Sequence, residues 1–212
     1  DWRENQAVDR GLVQGFYRYQ PQTEVVAYKG YPLAENYHPH LCPSSAELKA
    51  KVHPRDIWVI GRAYANAIRS KTPEAKVSIG PALRYASIND AKAYDCNERN
   101  DLLIGLPIGE KECQAILALV YKVTTSISRE LPIKIKPHPF TPRDVLLENG
   151  AADHADWIWV KGDFRERLAG ARLFCTNASS TALESLAAGV PVLLLGNSQS
   201  ITWNPIPKSI PD

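Results

Sequence analysis

A histidine flanked on both sides by proline follows a strand-like stretch in the segment IKIKPHPF, residues 133–140. Pro137 and Pro139 restrict the backbone to extended conformations and remove two backbone N–H donors. The imidazole of His138 is therefore held just beyond the strand end, where it can donate a hydrogen bond to a bound anion. A stiff turn with a solvated imidazole would show the same three residues, so both interpretations stay open at this point.

Hydroxyl and amide side chains crowd the segment between a later apolar strand and its following helix, at Asn177, Ser179, Ser180 and Thr181. Together with the free backbone N–H groups of a helix start, these side chains suit a phosphate. Glu184 falls one turn further on, within reach of a sugar hydroxyl beside that phosphate. Thr181 and Glu184 also match a capping box, which would hold the helix end with no ligand present.

The elements that carry these motifs alternate between apolar strands and amphipathic helices. This alternation predicts an α/β fold with two Rossmann-like lobes, each built on a parallel sheet with right-handed crossovers, the first lobe being incomplete. We place the first lobe at residues 1–85, a polar linker at 86–100 and the second lobe at 101–212. Because ligands bind beyond the carboxyl ends of parallel strands, His138 and the segment 177–181 are expected at the same edge of the second sheet.

The composition bounds the class of protein. The chain of 212 residues has a net charge of +2, which gives no reason to expect a nucleic-acid partner. Four scattered cysteines and the lack of an apolar run long enough to cross a bilayer predict a reducing, cytoplasmic setting. His38, His40 and His53 have no matching cysteine or carboxylate cluster, so no metal site is expected.

Two further expectations concern the chain as a whole. It contains no methionine and begins abruptly at Asp1, so we expect it to be a piece of a longer protein. Trp58, Trp157 and Trp159 lie in predicted strands and are expected in the core. None of the three tryptophans is a candidate for function on this pattern.

Two stretches of the second lobe resemble a known family. The motif KPHP at residues 136–139, followed by TNASSTALESLAAGVPVLL at 176–194, resembles the donor-binding lobe of GT-B glycosyltransferases. It is similar in particular to bacterial enzymes that carry an HP motif and use CMP-activated acidic sugars. In the first lobe, ENQAVDRGLVQGFYRYQPQTEVVAYKGYP, HLCPSSAE and VSIGPALRY resemble bacterial surface-carbohydrate biosynthesis proteins. The resemblance spans about residues 2–200.

The resemblance implies roles for the residues of the second lobe. His138 would bind the CMP phosphate and assist its departure. Ser179, Ser180 and Thr181 would bind the phosphate at the helix start, and Glu184 would contact the ribose. The nucleoside would lie in a cleft bordered by Gly105 and the Pro137–His138 dipeptide.

The first lobe would supply the acceptor side of the reaction. There, Glu4 is the visible candidate for the base that deprotonates the acceptor, with Asp9 behind it. Helix-end electrostatics is an alternative explanation for both carboxylates. Arg84 is a candidate contact for the carboxylate of an acidic sugar.

The expected activity is that of a metal-independent glycosyltransferase with no cofactor besides its donor. It would transfer a CMP-activated ulosonic acid, such as Kdo or a sialic-acid-like sugar, to a surface polysaccharide of the capsule or lipopolysaccharide type. The acceptor would be a glycan or lipid-linked glycan, reached at the cytoplasmic membrane face. Three alternatives stay open: a CDP-alditol phosphotransferase, a UDP-sugar enzyme such as an epimerase, and a non-catalytic module that binds a nucleotide or glycan.

Overall fold

The computed structural model describes residues 7–32, 42–88, 99–126, 131–177, 179–196 and 204–207. The chain forms two compact units: unit 1 comprises Asp1–Asn89 with Pro205–Asp212, and unit 2 comprises Asp90–Asn204. Within unit 1, the Tyr64 hydroxyl donates a hydrogen bond of 3.2 Å to the carbonyl of Pro205. Residues 89–98, which make up most of the predicted linker, lie outside the described residues.

Unit 1 is a parallel three-stranded sheet in the order β1-β2-β3, with helices packed against it. Its elements are α1 (Ala7–Tyr19), β1 (Val26–Lys29), α2 (Ser45–Lys49), β2 (Asp56–Val59), α3 (Arg62–Lys71), β3 (Lys76–Ile79) and a 3-10 helix (Leu83–Ile88).

The core of unit 1 lies on one face of its sheet. Ile57 and Val59 of β2 are fully buried and belong to one cluster with Ala65 and Ile68 of α3. Trp58 stands between them in sequence, so it projects from the opposite face and is 42% exposed. The prediction that Trp58 lies in the core is therefore wrong.

Unit 2 is a parallel five-stranded sheet in the order β6-β5-β4-β7-β8. Its elements are β4 (Asp101–Gly105), α4 (Glu110–Ser126), β5 (Ile133–Lys136), α5 (Arg143–Glu148), β6 (Trp157–Trp159), α6 (Phe164–Leu168), β7 (Ala171–Thr176), α7 (Thr181–Ala187) and β8 (Val192–Leu194). Successive strands run outward from β4 to β6 on one side, and the chain then crosses to β7 and β8 on the other. The strand order reverses between β4 and β7, which opens a crevice beyond their carboxyl ends.

Two apolar layers cover the faces of this sheet. The neighbouring β4 residues Leu103 and Ile104 are both buried but belong to different clusters. Ile104 packs with Ile116 and other residues of α4, whereas Leu103 packs with Leu168 of α6 and Phe174 of β7. A strand buried on both faces is typical of a parallel sheet between two layers of helices. The predicted α/β fold with Rossmann-like units and parallel sheets is confirmed.

Candidate functional site

The ends of β4 and β7 are joined at the crevice by a side-chain hydrogen bond. The Thr176 hydroxyl donates to the carbonyl oxygen of Gly105 over 2.9 Å, and Thr176 is fully buried. A Cβ atom at position 105 would lie 2.7 Å from two ring atoms of Phe174, which is itself fully buried. Packing against Phe174 therefore requires a glycine at position 105, whether or not a ligand is bound.

The turn between β7 and α7 gathers the predicted phosphate-binding side chains. The hydroxyls of Ser179 and Thr181 are hydrogen-bonded to each other at 2.7 Å, and the Thr181 N–H donates to the Ser179 hydroxyl at 3.3 Å. The Ser179 N–H donates to the carbonyl of Asn177, a mostly buried residue. The N-cap residue is Ser180, whose side chain makes no capping hydrogen bond within the described part of the chain.

Glu184 does not act as a helix cap. Thr181 is the first residue of α7, with Ser180 as its cap, so the third helical residue is Leu183 rather than Glu184. The capping-box interpretation of Thr181 and Glu184 is therefore wrong. The Glu184 carboxylate, whose side chain is 18% exposed, instead lies 3.6 Å from Nε of Arg165. A ribose hydroxyl that reached Glu184 would meet a carboxylate already oriented by this guanidinium.

The two prolines around His138 build a hydrogen-bonded turn. The Thr141 N–H donates to the carbonyl of His138 at 2.9 Å, which closes a four-residue turn with Pro139 in its second position. The Phe140 N–H donates to Nδ1 of His138 at 3.2 Å. Because Nδ1 accepts, a neutral imidazole carries its proton on Nε2, and Nε2–H is the donor that a ligand would meet.

A cleft of about 450 Å³ opens beside His138, between the carboxyl ends of β5 and β6. Its lining contains three cationic side chains, those of Lys136, Arg143 and Lys161, and one acidic side chain, that of Asp144. Its other lining residues are His138, Trp159, Val160, Gly162 and the prolines at 137, 139 and 142. Pro137 and His138 thus line this cleft, whereas Gly105, which the resemblance placed beside them, is not among its lining residues.

Lysines 134 and 136 of β5 have different surroundings. Nζ of Lys134 lies 2.5 Å from Oδ2 of Asp101, a buried carboxylate at the start of β4. Lys136 lies at the end of the strand and lines the cleft. Of the two, only Lys136 is therefore placed to meet a ligand in that cleft.

The first-lobe candidates belong to unit 1 or fall outside the described residues. Arg84 lies in the 3-10 helix with its guanidinium 4.7 Å from the ring centre of Tyr31. Asp9 lies in the first turn of α1, and Glu4 is outside the described residues.

Of the three histidines considered as metal ligands in the sequence, one lies within the described residues and two lie outside them. His38 and His40 lie outside the described residues. His53 is 2% exposed and donates from Nδ1 to the Pro54 carbonyl at 2.7 Å. Burial lowers its pKa to about 4. No group of three or more histidine, cysteine, aspartate or glutamate side chains suited to a metal ion is found in the described parts of the chain. In those parts, too, none of the helices has the length and apolarity to span a membrane.

Sequence analysis missed three residues around the cleft: Arg143, Asp153 and Trp159. Trp157 is 5% exposed and lies in the core as predicted, but Trp159 is only partly buried and lines the cleft. The position of Trp159 in the sequence could have indicated this, because Trp159 is the last residue of a strand in a parallel sheet. Side chains at that end lie next to the ligand edge.

Comparison with known proteins supports the fold. No family model and no curated protein matches the chain. Among solved structures, S. aureus MnaA in a co-structure with UDP matches with a TM-score of 0.51 and 12% identity, over 90% of this chain and 63% of that one. A Listeria monocytogenes protein assigned as a UDP-N-acetylglucosamine 2-epimerase matches with a TM-score of 0.43 and 14% identity, over 90% and 61%. The chain thus spans less than two thirds of each, and it shares the GT-B-like fold of two Rossmann-like units.

The comparison corrects the expected donor. The sequence resemblance implied transfer of a CMP-activated ulosonic acid, but the matched structure from S. aureus was determined with UDP. The expectation of a CMP-ulosonic acid transferase is therefore contradicted.

Proposed function

We propose that the chain is part of a UDP-sugar enzyme and that unit 2 binds the UDP portion of its substrate. The observation that carries this proposal is the position of two polar turns, which follow β5 and β7 at the carboxyl edge of the unit 2 sheet. The fold likeness to a structure determined with UDP favours the same class of ligand.

The two turns are spaced for a ligand longer than one phosphate. β5 and β7 are separated by β4 alone, and neighbouring strands lie about 4.8 Å apart, so the turns are roughly 10 Å apart. A diphosphate with its ribose can extend across this distance, whereas a single phosphate reaches one turn only. Ser179, Ser180 and Thr181 would hold one end of such a ligand and His138 the other.

The arrangement suits a reaction in which UDP is the leaving group. When the bond between the sugar and the diphosphate breaks, its electron pair passes to a diphosphate oxygen, which gains negative charge. The donors of the turn that holds this phosphate, either Nε2–H of His138 or the hydroxyls of Ser179–Thr181, would stabilise the transition state more than the ground state. The proposal covers both fates of the sugar, transfer to an acceptor or return in an isomerised form.

Several parts of the expected reaction stay predictions. Glu4, with Asp9 behind it, is our candidate base, and Arg84 is our candidate contact for an acidic sugar. We also predict that the acceptor is a glycan or lipid-linked glycan and that the reaction takes place at the membrane face. We predict that it needs neither a metal ion nor a cofactor. Gly105, Asn177 and Glu184 are proposed to border the nucleotide.

Calorimetric titration of the chain with UDP, UMP, CDP and CMP tests the proposal, together with His138→Asn. An asparagine keeps an acceptor for the Phe140 N–H but has no donor where Nε2 stands. We expect UDP to bind most tightly and the variant to lose about tenfold in affinity, or about 1.4 kcal/mol. His154→Asn is the matched control, because Nδ1 of His154 also accepts from the N–H two residues on, at 3.2 Å from Asp156.

Three outcomes would contradict the proposal. Binding of CMP or CDP as tight as that of UDP would contradict the expected preference for UDP. Failure to bind any of the four nucleotides would contradict the proposed nucleotide site. An equal loss in the two histidine variants would show that the effect comes from the turn and not from the Nε2 donor. Turnover of UDP-sugars by the intact protein then distinguishes transfer, which releases UDP, from isomerisation, which does not.

A further inference from the structure

Two neighbouring pockets of unit 1 share Tyr17 and Lys51 among their lining residues, and we call the two together the basic groove. Their volumes are about 490 and 390 Å³, each within the range of about 300–1,000 Å³ found for small-molecule sites. Lys51 and Arg55 of the groove precede the first residue of β2, so the groove lies at the amino edge of the unit 1 sheet. Ligands of parallel sheets bind at the carboxyl edge as a rule, so the proposed nucleotide site does not account for this groove.

The groove gathers positive charge that the described residues do not neutralise. Four cationic side chains line it, those of Arg18, Lys49, Lys51 and Arg55. None of the four forms an ion pair within the described parts of the chain, whereas Arg10, on the same helix as Arg18, is paired with Glu47 at 2.8 Å. One carboxylate, that of Glu74, lines the groove beside them. Like charges in a shared concave surface repel one another, and a bound anion relieves that repulsion.

Lys51 stands at a position where the backbone favours glycine. α2 ends in a Schellman motif, in which the Val52 N–H donates to the Glu47 carbonyl at 3.1 Å. Lys51 is the left-handed residue of this motif, with a φ of 54°. Glycine adopts that conformation without strain, whereas a residue with a side chain pays a cost in free energy. The stability of the turn therefore does not explain the lysine, which lines both pockets of the groove.

Gly11 and Gly15 of α1 show the opposite mismatch. Both lie inside the helix, where alanine is the more favourable residue. A Cβ at either position would meet no heavy atom of the described residues within 4 Å beyond its own stretch of helix, so packing does not require a glycine. The two are four residues apart on one helix face and both line the groove, so side chains there would narrow it.

We propose that the basic groove is a second ligand site, which binds a soluble molecule carrying two separated phosphate groups. Arg18 lines one pocket and Arg55 the other, so each pocket has a guanidinium, and Lys51 is common to both. A guanidinium matches two oxygens of one phosphate through parallel N–H donors. A small ligand can enter such a groove, whereas the flat surface of a bilayer would meet only its rim. The inference is independent of the proposed function, since no residue of unit 2 takes part.

Nuclear magnetic resonance of the chain with isotope-labelled glycine locates the binding, because Gly11 and Gly15 are two of its 12 glycines. Gly11→Ala and Gly15→Ala each remove one signal and so identify the pair. We expect fructose bisphosphate to shift both signals in a saturable way. Inorganic phosphate reaches one pocket at a time and should bind at least about tenfold more weakly.

Lys51→Gly separates ligand binding from stability, since glycine relieves the left-handed strain and removes the charge. We expect this variant to bind fructose bisphosphate about tenfold more weakly and to unfold at the wild-type temperature or a few degrees above it. Lys51→Arg keeps the charge and should keep the affinity. Lys122→Ala, at an exposed position of α4, is the matched control for net charge.

Several results would overturn the inference. Unshifted Gly11 and Gly15 signals would do so, as would unchanged affinity in Lys51→Gly, an equal loss in Lys122→Ala, or inorganic phosphate binding as tightly as the bisphosphate. A lower unfolding temperature for Lys51→Gly would show that the lysine serves the turn and not a ligand. If vesicles containing phosphatidylglycerol broaden the two signals and the bisphosphate leaves them unchanged, the groove faces an anionic membrane and the inference is wrong.

Discussion

Replacing Gly105 by alanine tests whether this residue is required by packing or by the ligand. Gly105 ends β4 at the crevice, where the family resemblance implied that it borders the nucleoside. In the structure an added Cβ at this position would stand 2.7 Å from Cε2 and Cζ of the Phe174 ring. Real carbon contacts are not that short, so either the ring or the strand has to move.

The expected cost follows from the surroundings of Phe174. The ring is fully buried and makes an edge contact with Phe164, with ring centres 5.1 Å apart, so it has little room to turn away. Inserting a methyl group into a well-packed core costs about 1–3 kcal/mol. We expect Gly105→Ala to destabilise the chain within this range.

A double-mutant cycle with Phe174→Leu isolates the clash, because leucine lacks the ring atoms that meet the new methyl. Phe174→Leu alone should cost about 1–2 kcal/mol, since it leaves a small cavity. The double variant should then be more stable than the sum of the two losses predicts, with a coupling of about 1 kcal/mol or more. Urea unfolding followed by fluorescence measures stability, and UDP titration of each variant measures binding.

Two results would refute this reasoning. Additive losses would show that Gly105 and Phe174 do not constrain each other, and a fully stable Gly105→Ala would show that the site has room for a methyl. If the double variant regains stability but not UDP affinity, Gly105 also contacts the ligand. If it regains both, packing accounts for the glycine.

Two further predictions concern stability elsewhere. Because the pKa of His53 is about 4 in the folded chain and about 6.5 when unfolded, stability should be full above pH 6.5 and fall by about 3 kcal/mol as the pH drops toward 4. His53→Asn should lessen that fall in urea melts at pH 7 and 5, and an unchanged fall would refute the assignment. Arg99 is 2% exposed and donates to the carbonyls of Ala188 and Gly189 at 3.2 and 2.6 Å. Arg99→Lys should therefore lower the free energy of unfolding by about 2 kcal/mol or more. The exposed control Arg172→Lys should be neutral, and equal losses would contradict this role for Arg99.

Local rules were enough to predict the class of fold and to place two polar turns at the carboxyl edge of one sheet. Strand and helix patterns alternate, and a parallel sheet brings the carboxyl ends of its strands to one edge, so the sequence alone predicts His138 and the segment 177–181 at the same edge. The proline pair around His138 also acts locally, since Pro139 supplies the φ angle that the turn requires. These features depend on neighbours within a few residues, and for that reason the sequence predicts them.

Contacts between distant segments decided the rest. The role of Gly105 depends on Phe174, and Glu184 is paired with Arg165 instead of closing a capping box. The hydrogen bonds that orient Arg143 and Trp159 depend on Asp153, which no spacing rule links to either residue. Which side chains meet is set by strand order and helix packing, and neither is written in a local pattern. The choice of nucleotide is the property that the sequence predicts least well, because the same fold accommodates different bases through a few such contacts.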